Sequence, residues 1–297
     1  MPSRSLTTRA ALRILLTAAP AVLACAGSAT AATAPAGFGR FPDPAPASPA
    51  TIWAVGDGAS GTAPEKAVSA MIAAARPSAF LYLGDVYEYG TAAEFRRNYH
   101  TVYGGLRPIT LPTPGNHDWS NHRVGYDPYW AKVTGRTPAP YYAVSVGGWR
   151  IISLNSETDH SAGSPQVAWL RRQLRAPGTC RLAFWHRPRF SAGLHGDNAD
   201  VAPFVKALRG RATLLLGGHD HDMQQFRIRA GLTQLIAGAA GRGHYPVDGA
   251  DPRLAWSDDS TDGALRITLE PGRARFAFVA VGGAVLRSGA VSCRPAA

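Results

Sequence analysis

The sequence predicts an α/β fold whose layered core contains mixed β-sheets. The first two-thirds of the chain alternates short apolar runs, typical of buried strands, with amphipathic stretches typical of helices. The last third consists mainly of short apolar runs broken by Gly and Pro, which predicts further strands. Five of the apolar runs are followed within a few residues by Asp, Asn or His, and ligands of open α/β sheets bind outside such strand ends.

The strands are predicted from apolar runs that turn residues bound on both sides. The run 212–216, for example, reads Ala-Thr-Leu-Leu-Leu and ends at two glycines. Gly147-Gly148 separates two such runs and predicts a hairpin. The predicted strands cover residues 51–55, 79–83, 108–111, 141–146, 149–154, 181–185, 212–216, 224–228, 233–236, 265–269, 275–279 and 284–291.

The helices are predicted from apolar residues at helical spacing. In the first helix, Ala67, Met71 and Ile72 face the core, and in the third, Ser164 is the N-cap. The predicted helices cover residues 64–76, 92–103, 164–174 and 199–208. Residues 119–137 are predicted to form a long aromatic loop, and loops of that length in compact domains are usually functional.

Three segments are predicted: a secretory signal peptide that is removed (1–36), a Pro-rich extended lead-in without a packing pattern (37–50) and a single domain (51–297). A basic start, an apolar run over 14–26 and the small residues Ala29-Thr30-Ala31 predict the signal peptide. This apolar run is too short to span a bilayer. We therefore expect a secreted protein without a membrane span. A weak lipoprotein-like cleavage pattern ending at Cys25 leaves a lipid-anchored surface protein as the less favoured alternative.

Once the signal peptide is removed, Cys180 and Cys293 are the remaining cysteines. An even number of cysteines in an oxidising compartment is compatible with a disulfide, and two unpaired buried thiols are the alternative. The net charge of the whole chain is +11, and +8 without the three arginines of the leader. The cations are scattered and form no basic stripe interleaved with aromatic residues, so we expect no nucleic-acid partner. A positive field would draw in small anionic substrates.

The polar clusters at the strand ends predict a metal site. They comprise Asp57, Asp85, Asn116-His117-Asp118, His186, and His219 with His221. Each cluster alone is compatible with an ordinary turn or helix cap. Together, at one edge of the sheets, they form a mixed oxygen and nitrogen donor set that suits transition metals rather than calcium and suffices for two ions. Two such ions can clamp a phosphate group. The sequence lacks both a Gly-x-Ser-x-Gly elbow and a phosphate-binding Walker A pattern.

These motifs, in this order, resemble the calcineurin-like metallophosphoesterases. They are Gly56-Asp57, Gly84-Asp85, Gly115-Asn116-His117-Asp118, Trp185-His186 and Gly218-His219-Asp220-His221. The resemblance implies a four-layer αββα sandwich with two mixed β-sheets and a dimetal centre at the carboxyl ends of the strands. It implies that Asp85 bridges the ions, that Asp57 and His221 bind the first ion, that Asn116, His186 and His219 bind the second, and that His117 lies near the attacked phosphate.

The purple acid phosphatase branch of this family is the most similar one. Many family members carry a histidine where this chain has Ala59, and this branch lacks it and supplies a tyrosine ligand instead. The branch places that tyrosine three residues after the bridging aspartate, where this chain has Glu88. Tyr87 and Tyr89 are the candidates; we predict Tyr87, and the alternative is that both only pack. The cofactors implied are two transition-metal ions, iron with zinc, manganese or a second iron.

The resemblance implies a secreted phosphatase that hydrolyses phosphate monoesters by in-line attack of a hydroxide held by the metals. A phosphodiesterase acting on nucleotides or lipid head groups, and a non-catalytic cell-surface binding module, are the alternatives. We predict that His195 or His117 acts as a general acid. The loop 238–244 is predicted either to bring Arg242 and His244 to the substrate or to form a hairpin turn. The substrate and the oligomeric state stay open.

Overall fold

The computed structural model describes residues 1–2, 34–44, 48–228 and 231–293. The chain divides into two units, Met1–Thr30, of which only the first two residues are described, and Ala31–Ala297, which contains every strand and helix given below. The predicted signal peptide therefore falls almost entirely outside the described residues and stays a prediction. Within these ranges, no helix has the length and apolar character needed to cross a membrane.

A six-stranded mixed sheet contains the first ligand-bearing strands. Its strands are β1 (Ala50–Val55), β2 (Ala79–Tyr82), β3 (Thr110–Pro112), β11 (Gly263–Glu270), β12 (Arg273–Ala280) and β13 (Val285–Ser292). They lie in the order β13-β12-β11-β1-β2-β3. Strands β1, β2 and β3 are parallel to one another, whereas β11, β12 and β13 extend the sheet in antiparallel pairs.

A seven-stranded mixed sheet contains the remaining ligand-bearing strands. Its strands are β4 (Tyr142–Val146), β5 (Trp149–Ser153), β6 (Cys180–Phe184), β7 (Leu214–Gly217), β8 (Met223–Ile228), β9 (Leu232–Ala237) and β10 (Leu254–Asp258). They lie in the order β10-β8-β9-β7-β6-β5-β4, with β5, β6, β7 and β9 parallel. Strand β10 was not among the predicted strands, because its sequence shows no alternation of apolar and polar residues; each of its five residues is only partly buried.

The helices lie outside the two sheets, so the predicted four-layer αββα sandwich is confirmed. They are α1 (Ala63–Ala74), α2 (Ala92–Glu94), α3 (Thr101–Tyr103), α4 (Asn116–Trp119), α5 (Tyr126–Thr134), α6 (Pro165–Gln173) and α7 (Ala202–Leu208). Trp169 of α6 and Phe204 of α7 belong to an apolar cluster with Ile152 and Leu215 of the seven-stranded sheet. A larger core joins residues of both sheets with Val68 and Ile72 of α1.

Two predicted elements are wrong in detail. The helix predicted over 92–103 is interrupted, because a π-helical stretch, Phe95–His100, separates α2 from α3. The loop predicted over 119–137 contains helix α5, whose aromatic side chains face the core rather than the solvent.

The lead-in also packs, contrary to the sequence prediction. Phe41 is 5% exposed, and its ring centroid lies 6.0 Å from that of Trp130 and 4.5 Å from that of Tyr142. The aromatic residues of α5 therefore complete a local core with the lead-in, which explains why a stretch that reads as a loop is ordered as a helix.

Of the two alternatives left open for the cysteines, the structure shows the disulfide. Cys180, the first residue of β6, is bonded to Cys293, which follows β13 directly, across a sequence separation of 113 residues. The bond links the seven-stranded sheet to the six-stranded one. A second link between the sheets is the hydrogen bond of 2.8 Å that the Trp149 Nε1–H donates to the Glu270 carbonyl oxygen.

Candidate metal centre

The predicted ligands follow five parallel strands and converge between the two sheets. Asp57, Asp85 and Asn116 follow β1, β2 and β3, while His186 follows β6, and His219 and His221 follow β7. Asp57, Asp85 and His186 each provide one donor atom, and these three atoms lie within 4.8 Å of one another. The two sheets are joined at this edge by the Gly56 N–H, which donates to the Ala237 carbonyl oxygen at 2.8 Å.

A first group of donors surrounds the Asp57 carboxylate. The Tyr87 hydroxyl lies 2.9 Å from Asp57 Oδ1 and 2.9 Å from His221 Nε2, and Asp57 Oδ1 lies 3.8 Å from His221 Nε2. All three side chains are nearly inaccessible to solvent. This arrangement brings two oxygen donors and one nitrogen donor to one point.

A second group of donors surrounds His186 Nε2. Asn116 Oδ1 lies 3.1 Å from it, His219 Nδ1 lies 3.2 Å from it, and Asp85 Oδ2 lies 3.4 Å from it. The opposite ring nitrogen, Nδ1, is 2.8 Å from the Leu83 carbonyl oxygen, which can only accept a hydrogen bond. That contact fixes the proton on Nδ1 and turns the Nε2 lone pair toward the cluster, as is usual for a metal-binding histidine.

Three of the predicted ligands adopt a backbone conformation that is uncommon for residues other than glycine. Asp57, Asp85 and His219 have φ angles of 60°, 71° and 73°, and each follows a glycine directly. Such conformations persist where surrounding contacts fix them, and they cluster at functional sites. Here the His219 N–H donates to Asp57 Oδ2 at 2.8 Å, which connects the turn after β7 to the turn after β1.

Asp118 holds the Asp85 turn in place, a role that the sequence analysis did not assign. Its buried carboxylate accepts hydrogen bonds from the N–H groups of Asp85, Val86 and Gly115 at 2.8, 3.0 and 2.9 Å. Asp118 is the last residue of the Gly115-Asn116-His117-Asp118 motif. The spacing of the motif alone did not show which backbone groups Asp118 would bind. Asp118 therefore positions the predicted bridging ligand, and both of its carboxylate oxygens are engaged by backbone N–H groups.

The electrostatics of the cluster suit cations. Burial raises the pKa of Asp57 to about 8, opposed by His186 and reinforced by the neighbouring Asp85 carboxylate. Burial also lowers the pKa of His221 to about 3 and holds the pKa of His219 far below its usual range. The pKa of His186 shifts the other way: burial lowers it, but the neighbouring Asp85 and Asp57 carboxylates outweigh burial and raise it to about 10. Neutral imidazole is the form that binds metals, and closely spaced buried carboxylates are stabilised by positive charge. The donor set therefore fits two transition-metal ions.

The two tyrosine candidates differ clearly in position. Tyr87 is 3% exposed with its hydroxyl in the first donor group, whereas Tyr89 is 65% exposed. The Tyr87 backbone is fixed by the Asn98 Nδ2 amide, which donates to its carbonyl oxygen at 2.6 Å. This geometry favours Tyr87 over Tyr89, and the role of Tyr87 as a ligand stays a prediction.

The two predicted general acids lie at the rim of the cluster. His117 Nε2 is 4.0 Å from Asp85 Oδ2, and its Nδ1 is 2.5 Å from the Glu88 carbonyl oxygen. The exposed His195 ring stacks on His219, with centroids 4.1 Å apart, and its backbone N–H donates to Asp220 Oδ1 at 2.9 Å. Both rings therefore adjoin predicted ligands, and their catalytic roles stay predictions.

The loop 238–244 is not a hairpin turn, since it begins the longer connection from β9 to β10. It places the Arg242 guanidinium 4.5 Å from the centre of the Tyr87 ring and in an ion pair with Glu88. His244 instead faces Asp262, with 3.1 Å between Nε2 and Oδ1, and no described contact joins it to a predicted ligand. The structure thus brings Arg242, but not His244, against the cluster.

Two further residues at the site were missed by the sequence analysis. Tyr245 stacks on His221 with ring centroids 4.1 Å apart, and Arg187 Nη1 lies 3.4 Å from His219 Nε2 while its Nε donates to Glu157. Arg187 follows the Trp185-His186 motif directly, and this position was a usable signal. Tyr245 follows the predicted loop directly, and no pattern distinguished it from a core aromatic residue.

Comparisons with known proteins agree with the fold and with the family that the sequence motifs resemble. The family described as calcineurin-like phosphoesterase matches residues 51–223. No curated protein matches the chain. Solved structures show the same fold at low identity, and three of them illustrate the range.

The anchor protein of the inner membrane complex of Plasmodium is 13% identical, with a TM-score of 0.67, covering 82% of this chain and 89% of that one. A purple acid phosphatase from yellow lupin (Lupinus luteus) seeds is 13% identical, with a TM-score of 0.68, covering 85% of this chain but only 55% of that one. A dimetal phosphatase from Danio rerio is 13% identical, with a TM-score of 0.57, covering 82% of this chain and 99% of that one. At these identities the likeness shows the fold alone.

Proposed function

The chain belongs to the calcineurin-like phosphoesterase family, and on this premise we propose that it is a secreted dimetal phosphatase that hydrolyses phosphate monoesters. The observation that carries the proposal is the convergence of a complete donor set, Asp57, Asp85, Asn116, His186, His219 and His221, at one edge of the two sheets. A binding module on a degraded site would not need to keep every donor.

The chain supplies a distinct set of donors for each of two ions. Asp57, Tyr87 and His221 would hold the first ion, and Asn116, His186 and His219 the second. Asp85 would lie between them. When bound, two such ions lower the pKa of a coordinated water and neutralise phosphate oxygens. By its resemblance to the purple acid phosphatases, the proposed pair is iron with zinc, manganese or a second iron.

Cationic side chains on the rim favour a phosphate monoester, which carries more negative charge than a diester. Arg187 contacts His219, and Arg242 lies over Tyr87, so both guanidinium groups adjoin the donors. Each is held by a carboxylate, Glu157 or Glu88. Guanidinium groups bind phosphate oxygens in pairs of parallel hydrogen bonds, so fixed arginines at this rim would orient a terminal phosphate.

The rim histidines provide a proton for the leaving group. As the bond between phosphorus and the ester oxygen breaks, a protonated imidazole of His195 or His117 would give its proton to that oxygen and become neutral. His195 is better placed to approach a substrate from the solvent side, because its ring is exposed and rests on His219. Such general-acid assistance is typically worth about 10²- to 10⁴-fold in rate.

Export from the cytoplasm is supported by the disulfide between Cys180 and Cys293, since such bonds persist mainly in oxidising compartments. The apolar run within residues 1–36 supports it independently.

The proposal is tested by metal analysis beside a pair of model substrates. We expect about two transition-metal ions per chain and faster hydrolysis of p-nitrophenyl phosphate than of bis(p-nitrophenyl) phosphate. Faster hydrolysis of the diester would make the protein a phosphodiesterase. A folded protein with little metal and no turnover would be a binding module.

The Asp85→Asn variant should lose bound metal and about 10³-fold or more in rate, the scale seen when a fixed charge-stabilising group is removed. Asp200→Asn is the matched control, because this carboxylate is 60% exposed and pairs with His160. Near-normal turnover of Asp85→Asn would remove Asp85 from the centre.

A further inference from the structure

A second candidate site lies at the other end of β1 from the metal centre. It is a groove with a cavity volume of about 850 Å³ between the start of β1, the end of α1 and the antiparallel strands β11, β12 and β13. Thr51 lines the groove, whereas Asp57 belongs to the metal centre. Trp53 is the groove residue of β1 nearest the metal centre, and it precedes Asp57 by four residues. Four residues of extended chain span about 13 Å, so the two sites are separate.

Four exposed arginines line this groove: Arg76, Arg266, Arg273 and Arg275. Arg273, Arg275 and Ala277 are alternate residues of β12. Arg266, on the neighbouring strand β11, lies directly opposite Ala277. Because side chains alternate along a strand, Arg266, Arg273 and Arg275 share one face of the sheet. Two residues of strand span about 7 Å, so Arg273 and Arg275 form a row of that spacing, with Arg266 further along the neighbouring strand.

Among the described residues, acidic side chains neutralise only part of the positive charge of this face. Arg275 pairs with Glu270 at 3.2 Å, but Arg76, Arg266 and Arg273 form no ion pair within the described residues. The segments outside the description, 3–33, 45–47, 229–230 and 294–297, contain no Asp or Glu. None of the 20 Asp and Glu side chains of the chain therefore pairs with Arg76, Arg266 or Arg273, so these three guanidinium groups are available to an anionic ligand.

The floor of the groove indicates which kind of anion fits. Between the arginines it consists of small side chains, including Ala277, Ser288 and Ala290. Trp53 is 3% exposed, and Phe276, whose side chain points to the opposite face of β12 from Arg273 and Arg275, is also 3% exposed, so neither ring offers a surface on which a nucleobase could stack. A protein partner would need an exposed aromatic or apolar anchor pocket, which this floor lacks. A concave row of guanidinium groups suits a slender chain better than the plane of a membrane.

From these features we propose that the groove, lined by Arg76, Arg266, Arg273 and Arg275, binds a linear phosphate-bearing polymer without nucleobases. Guanidinium groups match phosphate oxygens in geometry and charge. A row of them at regular spacing along β12 matches an anion whose charges also recur along a chain. The proposal does not depend on hydrolysis at the metal centre.

The test is binding of fluorescently labelled inorganic polyphosphate to the full chain at several salt concentrations. The variant combines Arg76→Gln, Arg266→Gln and Arg273→Gln, the three arginines without an ion pair. The matched control combines Arg171→Gln, Arg175→Gln and Lys206→Gln, which removes the same charge from a separate cleft of about 380 Å³. The groove variant should bind at least about 10-fold more weakly, and its slope of log affinity against log salt should fall by about 2, or 0.7 per lost phosphate contact.

Three comparisons complete the test. Hydrolysis of p-nitrophenyl phosphate should be the same in the groove variant and the wild type, which shows that the fold and the metal centre are intact. The single variant Arg273→Gln should weaken binding in the same direction by a smaller factor. Polyglutamate, single-stranded DNA and anionic phospholipid vesicles should each bind more weakly than polyphosphate.

Equal affinity of wild type and groove variant, or an equal loss in the control variant, would overturn the proposal. If polyglutamate, DNA or vesicles bind more tightly than polyphosphate and lose affinity in the groove variant, the groove serves that other class and the proposal is wrong.

Discussion

Tyr87 lies beside Ala59, the position at which many family members carry a histidine. This chain has Ala59 there, fully buried, and the Tyr87 N–H donates to the Ala59 carbonyl oxygen at 2.9 Å. The strand-like pairing of Ala59 with Val86 brings the two segments together. The Tyr87 hydroxyl thereby reaches Asp57 and His221, and it can supply the donor that Ala59 does not.

This position leads to a spectroscopic prediction. With iron in the site, a bound phenolate gives a visible charge-transfer band, and Tyr87→Phe should abolish it. Tyr89→Phe is the control and should keep the band, because Tyr89 is 65% exposed. The measurement is the visible spectrum after reconstitution with iron. A band that survives in Tyr87→Phe would exclude Tyr87 as the ligand.

The choice of leaving group can distinguish the proposed general-acid role of His195 from a purely structural one. His195→Ala should slow hydrolysis of alkyl phosphates by about 10²- to 10⁴-fold and that of activated aryl phosphates far less, because a good leaving group needs no proton. His244→Ala serves as the control, since His244 pairs with Asp262 away from the donors. An equal loss for both substrate types would assign His195 to packing against His219.

At the scale of elements, the turns after β2 and β3 are packed so closely that only glycine fits at one position. A Cβ atom at Gly115 would lie 2.0 Å from Asp85 Oδ1 and 2.9 Å from Asp85 N. Gly115→Ala should therefore displace Asp85, lower metal content and reduce the rate by at least about 10-fold, with a stability cost of about 1–3 kcal/mol.

Gly163→Ala is the matched control for this prediction, because a Cβ atom there would meet no atom within 4 Å. Metal content, rate and the urea midpoint of unfolding should all be unchanged in it. Full metal occupancy in Gly115→Ala would show that the two turns can separate without loss of the site.

The strands and their polar ends could be predicted because each is a local pattern. An apolar run such as 212–216, followed by two glycines and a histidine, contains both the strand and the ligand. Helix α5 could not be predicted in this way, since Tyr126, Tyr129 and Trp130 owe their order to packing against each other and against Phe41. Strand β10 and the contact of Tyr245 with His221 likewise depend on residues distant in sequence.

At the scale of the whole molecule, the metal centre exists only while the two sheets face each other correctly. Asp57 follows a strand of one sheet and His219 a strand of the other, and the hydrogen bond between them joins residues 162 positions apart. The motifs predicted which residues would meet there. Their distances, and the separation of the centre from the arginine groove, depend on the strand order of both sheets.

The disulfide should stabilise this arrangement without taking part in the chemistry. Cys180 begins β6 and His186 follows the end of that strand, so the bond lies at the far end of the strand from the metals. Because the bond closes a loop of 113 residues, the variant with Cys180→Ala and Cys293→Ala should lose about 2–5 kcal/mol of unfolding free energy. Urea unfolding of the metal-loaded protein gives that value, and kcat and metal content in the absence of denaturant should stay near those of the wild type.

Reductant should destabilise the wild type to the level of the variant and leave the variant unchanged. If the variant instead loses metal while its unfolding midpoint stays constant, the bond controls the geometry of the centre rather than the stability of the sandwich.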